Sequence, residues 1–165
     1  MSRLHVHLHV RDFEQSIRFY TTLFNTEPAR REAGYAKWML EDPKVNFAIS
    51  VGGETPGVGH LGIQVDSAEE LAVVSARAQE AAGAILVEHG ARCCYATGNK
   101  AWAEDPQGVR WETFHTTGTL DEAGYGAEES FIAAADGARE VESAACCCTA
   151  GKNINEASPA NCCSA

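Results

Sequence analysis

The chain repeats itself. His5 lies seven residues before Asp12, and His60 lies seven residues before Ser67. Asp12 with Gln15, and Ser67 with Glu70, have the spacing of a capping box, in which a polar side chain at a helix start serves the backbone three residues on. Val10 and Val65 each stand two residues before these caps. Glu41-Asp42-Pro43 recurs as Glu104-Asp105-Pro106, with Trp38 three and Trp102 two residues upstream. Such self-similarity marks two copies of one supersecondary unit. At 165 residues the chain accommodates two small halves sharing a core.

Each copy starts the same way. Leu4, Val6, Leu8 and Val10 alternate with His5, His7 and His9, the period of a strand. After Asp12, the stripe of Ile17, Tyr20 and Phe24 predicts a helix ending near Asn25. Residues 35–40 and 45–51 read as strands around a turn at 41–44. Residues 52–59 form a glycine-rich connection, and no Gly-Lys-Ser/Thr follows to make it a phosphate loop. The second copy gives a strand at 60–65, a helix from Ser67 to about Gly83, and strands at 84–88, 92–97, 100–103 and 109–115. From His5 to Glu41 is 36 residues and from His60 to Glu104 is 44, so the second copy carries about eight more. Cys93 and Cys94 lie where those extra residues must fit. The expected fold is α+β: two βαβββ modules, about 1–52 and 59–118, in one domain of residues 1–118.

The remaining residues, 119–165, read as an acidic, Ala/Cys-rich tail. From 116 onward there are 2 basic and 8 acidic residues, and 12 of those 50 residues are alanine. Few large apolar side chains remain there to bury. The expectation is an appendage, helical around 128–145 and otherwise disordered.

Net charge of −10 argues against nucleic acid, whose phosphates need clustered Lys and Arg. No apolar run is long enough to span a membrane. The alternating N-terminus is unlike a signal peptide, and a cytoplasmic location is the expectation. All seven cysteines (93, 94, 146, 147, 148, 162 and 163) have a cysteine neighbour in sequence. Neighbours rarely bridge each other, because bridged Cα atoms usually lie about 4.4–6.8 Å apart. Reduced thiols are expected, and runs of them suit soft metals or metalloids.

The segment His5 through Asp12 followed by Ser16-Ile17-Arg18-Phe19-Tyr20, then His60-Leu61-Gly62, then Asp105-Pro106-Gln107-Gly108 with Trp111-Glu112, resembles the vicinal oxygen chelate superfamily of glyoxalase I, extradiol dioxygenases and bleomycin-resistance proteins. The resemblance implies an open, U-shaped sheet around a metal, with ligands at His5, His60 and Glu112. The residues agree on their own terms. Repeat equivalence brings His5 and His60 to one central place, and the 105–108 turn returns the last strand with Glu112 on it. The counterpart of Glu112 in module one falls around 47–49, which is apolar or small, so three ligands are expected and not the four usual in glyoxalase I. Two imidazoles and one carboxylate are the set of a non-haem Fe(II) site. His7 and His9 share a face with His5 and are alternatives to it or its hydrogen-bonding neighbours. His89 and His115 read as solvent-facing or structural.

Gly34-Tyr35-Ala36, Cys93-Cys94-Tyr95-Ala96 and Lys100-Ala101-Trp102 further resemble the organoarsenical carbon–arsenic lyases and their cadmium-induced relatives. Buried cysteines can be mere packing, but Arg92 and Lys100 flank the pair, and their charge favours thiolates. The resemblance implies a lyase using Fe(II) and dioxygen. Cys93 and Cys94 would hold a trivalent organoarsenical while its C–As bond is cleaved to release inorganic arsenite. A second reading is a cadmium- or arsenite-binding resistance protein without catalysis. A third, a glyoxalase-like or drug-binding protein, leaves the cysteine pair unexplained. Whether the tail cysteines pass or sequester thiophilic ions, or are dispensable, stays open. All three ligands on one chain favour a site completed within one subunit, which a homodimer would also accommodate.

Overall fold

The structure, a computed structural model, describes residues 2–53, 55–121 and 128–133. Module one runs β1 (Arg3–His9), α1 (Phe13–Phe24), β2 (Arg30–Glu32), β3 (Tyr35–Glu41) and β4 (Lys44–Ser50). Module two repeats it as β5 (Gly57–Val65), α2 (Ala68–Ala82), β6 (Ala84–Cys93), β7 (Ala96–Glu104) and β8 (Arg110–Thr119), followed by β9 (Glu128–Ala133). The strands form one open sheet in the order β2-β3-β4-β1-β5-β8-β7-β6-β9. The fold is therefore α+β with two βαβββ modules, as the repeat implies.

Both helices start at the residues that the repeat singled out. The Asp12 carboxylate accepts from the Gln15 backbone N–H at 2.8 Å, and Ser67 Oγ accepts from that of Glu70 at 3.2 Å. Glu70 in turn accepts from the backbone N–H of Asp66 at 3.0 Å, closing the second cap from the other side. Each cap satisfies a donor that the first helical turn leaves unpaired, worth about 1 kcal/mol.

Strand alternation sorts the two faces of the sheet. Val6, Leu8 and Val10 pack against the cluster of Ile17, Ala36, Trp38, Phe47 and Ile49 under α1. Full burial of one such large side chain contributes roughly 1.5–3 kcal/mol. The histidines between them, His5, His7 and His9, are left for the opposite, concave face. At the seam β1 and β5 pair antiparallel, setting His7 opposite His60, while β8 runs parallel to β5 with Glu112 opposite Gly62. A Cβ on Gly62 would stand 2.3 Å from the Glu112 carbonyl oxygen, so only glycine admits β8 this close.

Four expectations need correction. A short strand, β2, precedes β3 where none was read. The four strands read after the second helix are three, because β6 continues through 89–91 to Cys93 and β7 absorbs both 96–97 and 100–103. β5 begins at Gly57, inside the stretch read as a connection. Glu128–Ala133 is a strand antiparallel to β6, not the start of a helix. Alanine-rich composition favours helix locally, but the outer edge of β6 offers a ladder of backbone groups that a following segment can satisfy. The rest of the tail, with Cys146, Cys147, Cys148, Cys162 and Cys163, lies outside the described residues.

Candidate metal centre

The three residues expected to bind metal meet on the concave face. His5 Nε2 lies 3.1 Å from His60 Nε2 and 3.7 Å from Glu112 Oε2, and His60 Nε2 lies 3.4 Å from the same oxygen. One ligand atom from each falls within 4.8 Å of the others. His5 comes from the first strand of module one; His60 and Glu112 come from the first and last strands of module two.

The donor chemistry fits a divalent cation. His5 Nδ1 lies 3.0 Å from the Asn46 carbonyl oxygen, which can only accept, so Nδ1 carries the proton and Nε2 turns its lone pair inward. Burial depresses the His5 pKa from 6.5 to about 4, with the neighbouring His60 and Lys100 adding to the effect against Glu112. The ring is therefore neutral at neutral pH, the form a metal needs. For Glu112, burial opposes ionisation, but Lys100, the hydrogen bond from His60 and the nearby rings together hold its carboxyl well below the usual range. The result is two imidazoles and one carboxylate.

Lys100 has a different place from the one the sequence suggested. Its Nζ lies 2.7 Å from Glu112 Oε1, leaving Oε2 to face the histidines. Burial would lower its pKa, but Glu112 more than compensates, so the ammonium stays charged. Cys94 lies within electrostatic range of the same ammonium.

His7 is buried and sits beside His60, with ring centroids 4.7 Å apart. Its Nε2 is 3.0 Å from Ser50 Oγ, and Ser50 also reaches His9 Nδ1 at 3.3 Å. The grouped ligand atoms are those of His5, and His7 and His9 form a hydrogen-bonded flank of the site. His89 is exposed, whereas His115 is half-buried. The register makes Ala48, opposite His7, the module-one counterpart of Glu112, opposite Gly62. An alanine offers no fourth ligand.

The cysteine pair lies at the end of β6. Cys93 is buried and Cys94 half-buried, with sulfurs 3.1 Å apart, too far for a bond between them. Cys94 and Tyr95 close the β6–β7 hairpin, both with positive φ (52° and 67°). Two-residue hairpin turns with both φ positive normally use Asn-Gly or Gly-Gly, and a side chain in this region carries strain of the kind found at functional sites.

Three contacts of the site escaped the sequence reading, although Trp102 read as core or pocket lining. Asn46 orients His5 through its backbone, and its side chain donates to Gln64 Oε1 at 2.9 Å. Trp102 meets His60 edge-on at 5.1 Å between centroids and donates from Nε1 to Glu88 at 2.9 Å. Trp38 and Trp102 stand three and two residues before the matching Glu-Asp-Pro segments, and that odd difference sends them to opposite faces. Trp38 is in the α1 core, while Trp102 lines the metal centre. The third contact is the Lys100–Glu112 ion pair.

Residues 3–113 match the family described as the Glyoxalase/Bleomycin resistance protein/Dioxygenase superfamily. The chain is 38% identical over 169 residues to a protein of Bacillus sp. (strain MD1) named "Trivalent organoarsenical cleaving enzyme", covering 99% of this chain and 100% of that one. It is 41% identical over 118 residues to the "Cadmium-induced protein CadI" of Mycobacterium bovis, covering 69% of this chain and 76% of that protein. Among solved structures, an extradiol ring-cleaving dioxygenase from B. fuscum shares the fold with a TM-score of 0.56 at 19% identity. That match covers 72% of this chain and 34% of the larger dioxygenase. With its paired modules and shared central site, this chain belongs to the glyoxalase/bleomycin resistance/dioxygenase superfamily.

Proposed function

We propose that this protein is an iron(II)-dependent carbon–arsenic lyase that uses dioxygen. Cys93 and Cys94 would hold a trivalent organoarsenical while its C–As bond is cleaved, releasing inorganic arsenite. The convergence of His5, His60 and Glu112 carries the reading, and the relatives named as organoarsenical cleaving enzymes support its substrate class. With three protein ligands and Ala48 in the fourth position, the set leaves coordination room for exogenous ligands, as in other two-histidine, one-carboxylate centres. Fe(II) bound there would supply the activation of dioxygen.

The chain's own residues do the rest. Glu112 contributes the negative charge that offsets part of the metal's, and Lys100 fixes the orientation of its carboxylate. Trp102 and Phe114 wall the imidazoles, with the Phe114 ring edge-on to His5 at 5.2 Å between centroids. The thiol pair positions the arsenical, since soft thiolates prefer a soft, trivalent centre. Clamping the substrate turns an encounter between arsenical and centre into one within a single complex. Capture by the pair requires both cysteines as thiols or thiolates.

The test is anaerobic loading of reduced protein with Fe(II), addition of methylarsenite, then admission of air while arsenic species are separated. Inorganic arsenite that depends on both iron and oxygen is the expected product. The Cys93→Ser variant is expected to lose arsenical binding and retain iron. Undiminished tight binding of methylarsenite by that variant overturns the clamp.

The 41% identity to a cadmium-induced protein favours a second reading, sequestration of Cd(II) or As(III) without catalysis. Stoichiometric arsenic binding with no cleavage, on protein with a verified iron site, would select it.

A further inference from the structure

The cations around the cysteine hairpin differ in what occupies them. Lys100 is held by Glu112 at 2.7 Å. Arg30, on β2, donates to Glu32 at 3.0 Å and to the Leu120 carbonyl at 2.9 Å, and lies 4.5 Å above the Tyr95 ring. Arg92 is exposed. Lys37, on β3, remains. It is half-buried, and among the described residues no carboxylate pairs with it.

The sheet register places Lys37 on the concave face. It pairs with Arg30 on one side and Ala48 on the other, and Ala48 is opposite His7. Tyr35, two residues earlier on the same face of β3, meets the Tyr95 ring at 5.7 Å between centroids. Lys37 therefore lies beside two residues, Arg30 and Tyr35, that both touch Tyr95 at the hairpin tip. Cys94 is the next residue along. The thiol-bearing hairpin of module two thus folds onto β2 and β3 of module one, with Lys37 in the space between them.

We propose that Lys37 is a positioning residue for the cysteine pair: reaching from module one, its ammonium holds Cys94 as the thiolate through which a trivalent arsenical is captured. A thiolate, not a thiol, is the ligand for a thiophilic centre, and a nearby ammonium stabilises it in a partly buried place where solvent screens poorly. Among the described residues, the charged groups coupled to Cys94 include Lys37 from β3 and Lys100 from β7, with Cys93 beside it, while Tyr35 from β3 and Arg30 from β2 contact the neighbouring Tyr95. Of the cations among these, Lys37 alone has no carboxylate partner among the described residues. Burial, with Arg30 adding to it, pushes the Lys37 pKa below the ordinary lysine value, and Cys94 works against that shift. The charge coupling runs between these two side chains across the module boundary. The inference deepens the reading of the pair as an arsenic clamp, but its test uses neither iron nor arsenical.

The test follows the rate of Cys94 alkylation by iodoacetamide against pH, in the reduced full-length protein, with site-resolved mass spectrometry. In Lys37→Met the midpoint of that profile is expected to rise by roughly one pH unit. Lys37→Arg should restore most of the difference, which a purely packing role would not predict. Lys37→Glu should raise the midpoint further, and circular dichroism checks that each variant is folded. Superimposable profiles for the folded Met, Glu and parent proteins overturn the proposal. So does a shift in Lys37→Met that Lys37→Arg fails to reverse. An upward shift together with absent C–As cleavage would leave the inference standing and sink the lyase reading alone.

Discussion

Glu112 is nearly buried, with a side chain 6% exposed, and its counter-ion Lys100 is 12% exposed. A pair this enclosed is costly to break, since removing one partner strands a buried charge at about 3–5 kcal/mol. Lys100→Met is therefore expected to destabilise the metal-free protein by an amount of this order in urea unfolding. A divalent cation should restore much of the loss, because it neutralises the same carboxylate. Loss without recovery on adding metal would separate Lys100 from the metal centre. His5 supplies a pH prediction. Its folded-state pKa is depressed from 6.5 to about 4, so the unfolded chain binds the proton more tightly. Stability is full above about 6.5 and falls as pH drops from there towards 4. Glu112 shifts in the direction that extends the loss to pH below its ordinary value of 4.5. Urea midpoints of chelator-treated protein between pH 7.5 and 4 should show this slope, and His5→Gln should flatten its upper part.

At the scale of elements, β6 decides where the cysteines point. Glu88 is opposite Lys100 and Ala91 is opposite Gly98, so β6 spends one residue more than β7 over this interval. The extra residue makes a bulge, with Gly90 at φ 63°. Side chains alternate along a strand, so this one insertion shifts the parity: Glu88 faces the centre before it, and Cys93 faces the centre after it. Arg92, which would otherwise have that place, is exposed. Deleting Gly90 is expected to turn Cys93 outward and abolish methylarsenite binding while Fe(II) binding persists, as read by equilibrium dialysis of each. Retained arsenical binding in the folded deletion protein would show that the bulge does not aim the pair. The sequence contained the glycine, but a bulge exists only relative to a partner strand, and periodicity within one segment cannot reveal it. The same limit hid β2, whose three residues are a strand because β3 lies beside them. The pairing of β9 with β6 was likewise invisible.

In the molecule as a whole, the centre lies on the boundary between the halves. His5 belongs to module one, whereas His60 and Glu112 belong to module two, so a bound cation would tie the two together. A ligand that binds only the folded state stabilises it by about 2.7 kcal/mol at a hundredfold excess over its dissociation constant. The thermal midpoint is therefore expected to rise with Fe(II) or Mn(II) concentration under anaerobic conditions. His60→Ala should remove most of that dependence with little change in the metal-free midpoint. An equal metal response in the two proteins would mean that the cation binds elsewhere.

The sequence alone determined the repeat, both helix caps, the alternation that puts histidines on one face and valines on the other, and the positions of His5, His60 and Glu112. These are local or self-comparing properties, carried by spacing along one chain. Tertiary structure decided what depends on neighbours distant in sequence: Lys100 against Glu112, the Asn46 carbonyl behind His5, Trp102 in the centre and Trp38 out of it, and the parity of Cys93. Sheet register makes these choices, because the side chains that meet are those whose strands lie side by side. Register is in turn set by burying both modules against one shared seam.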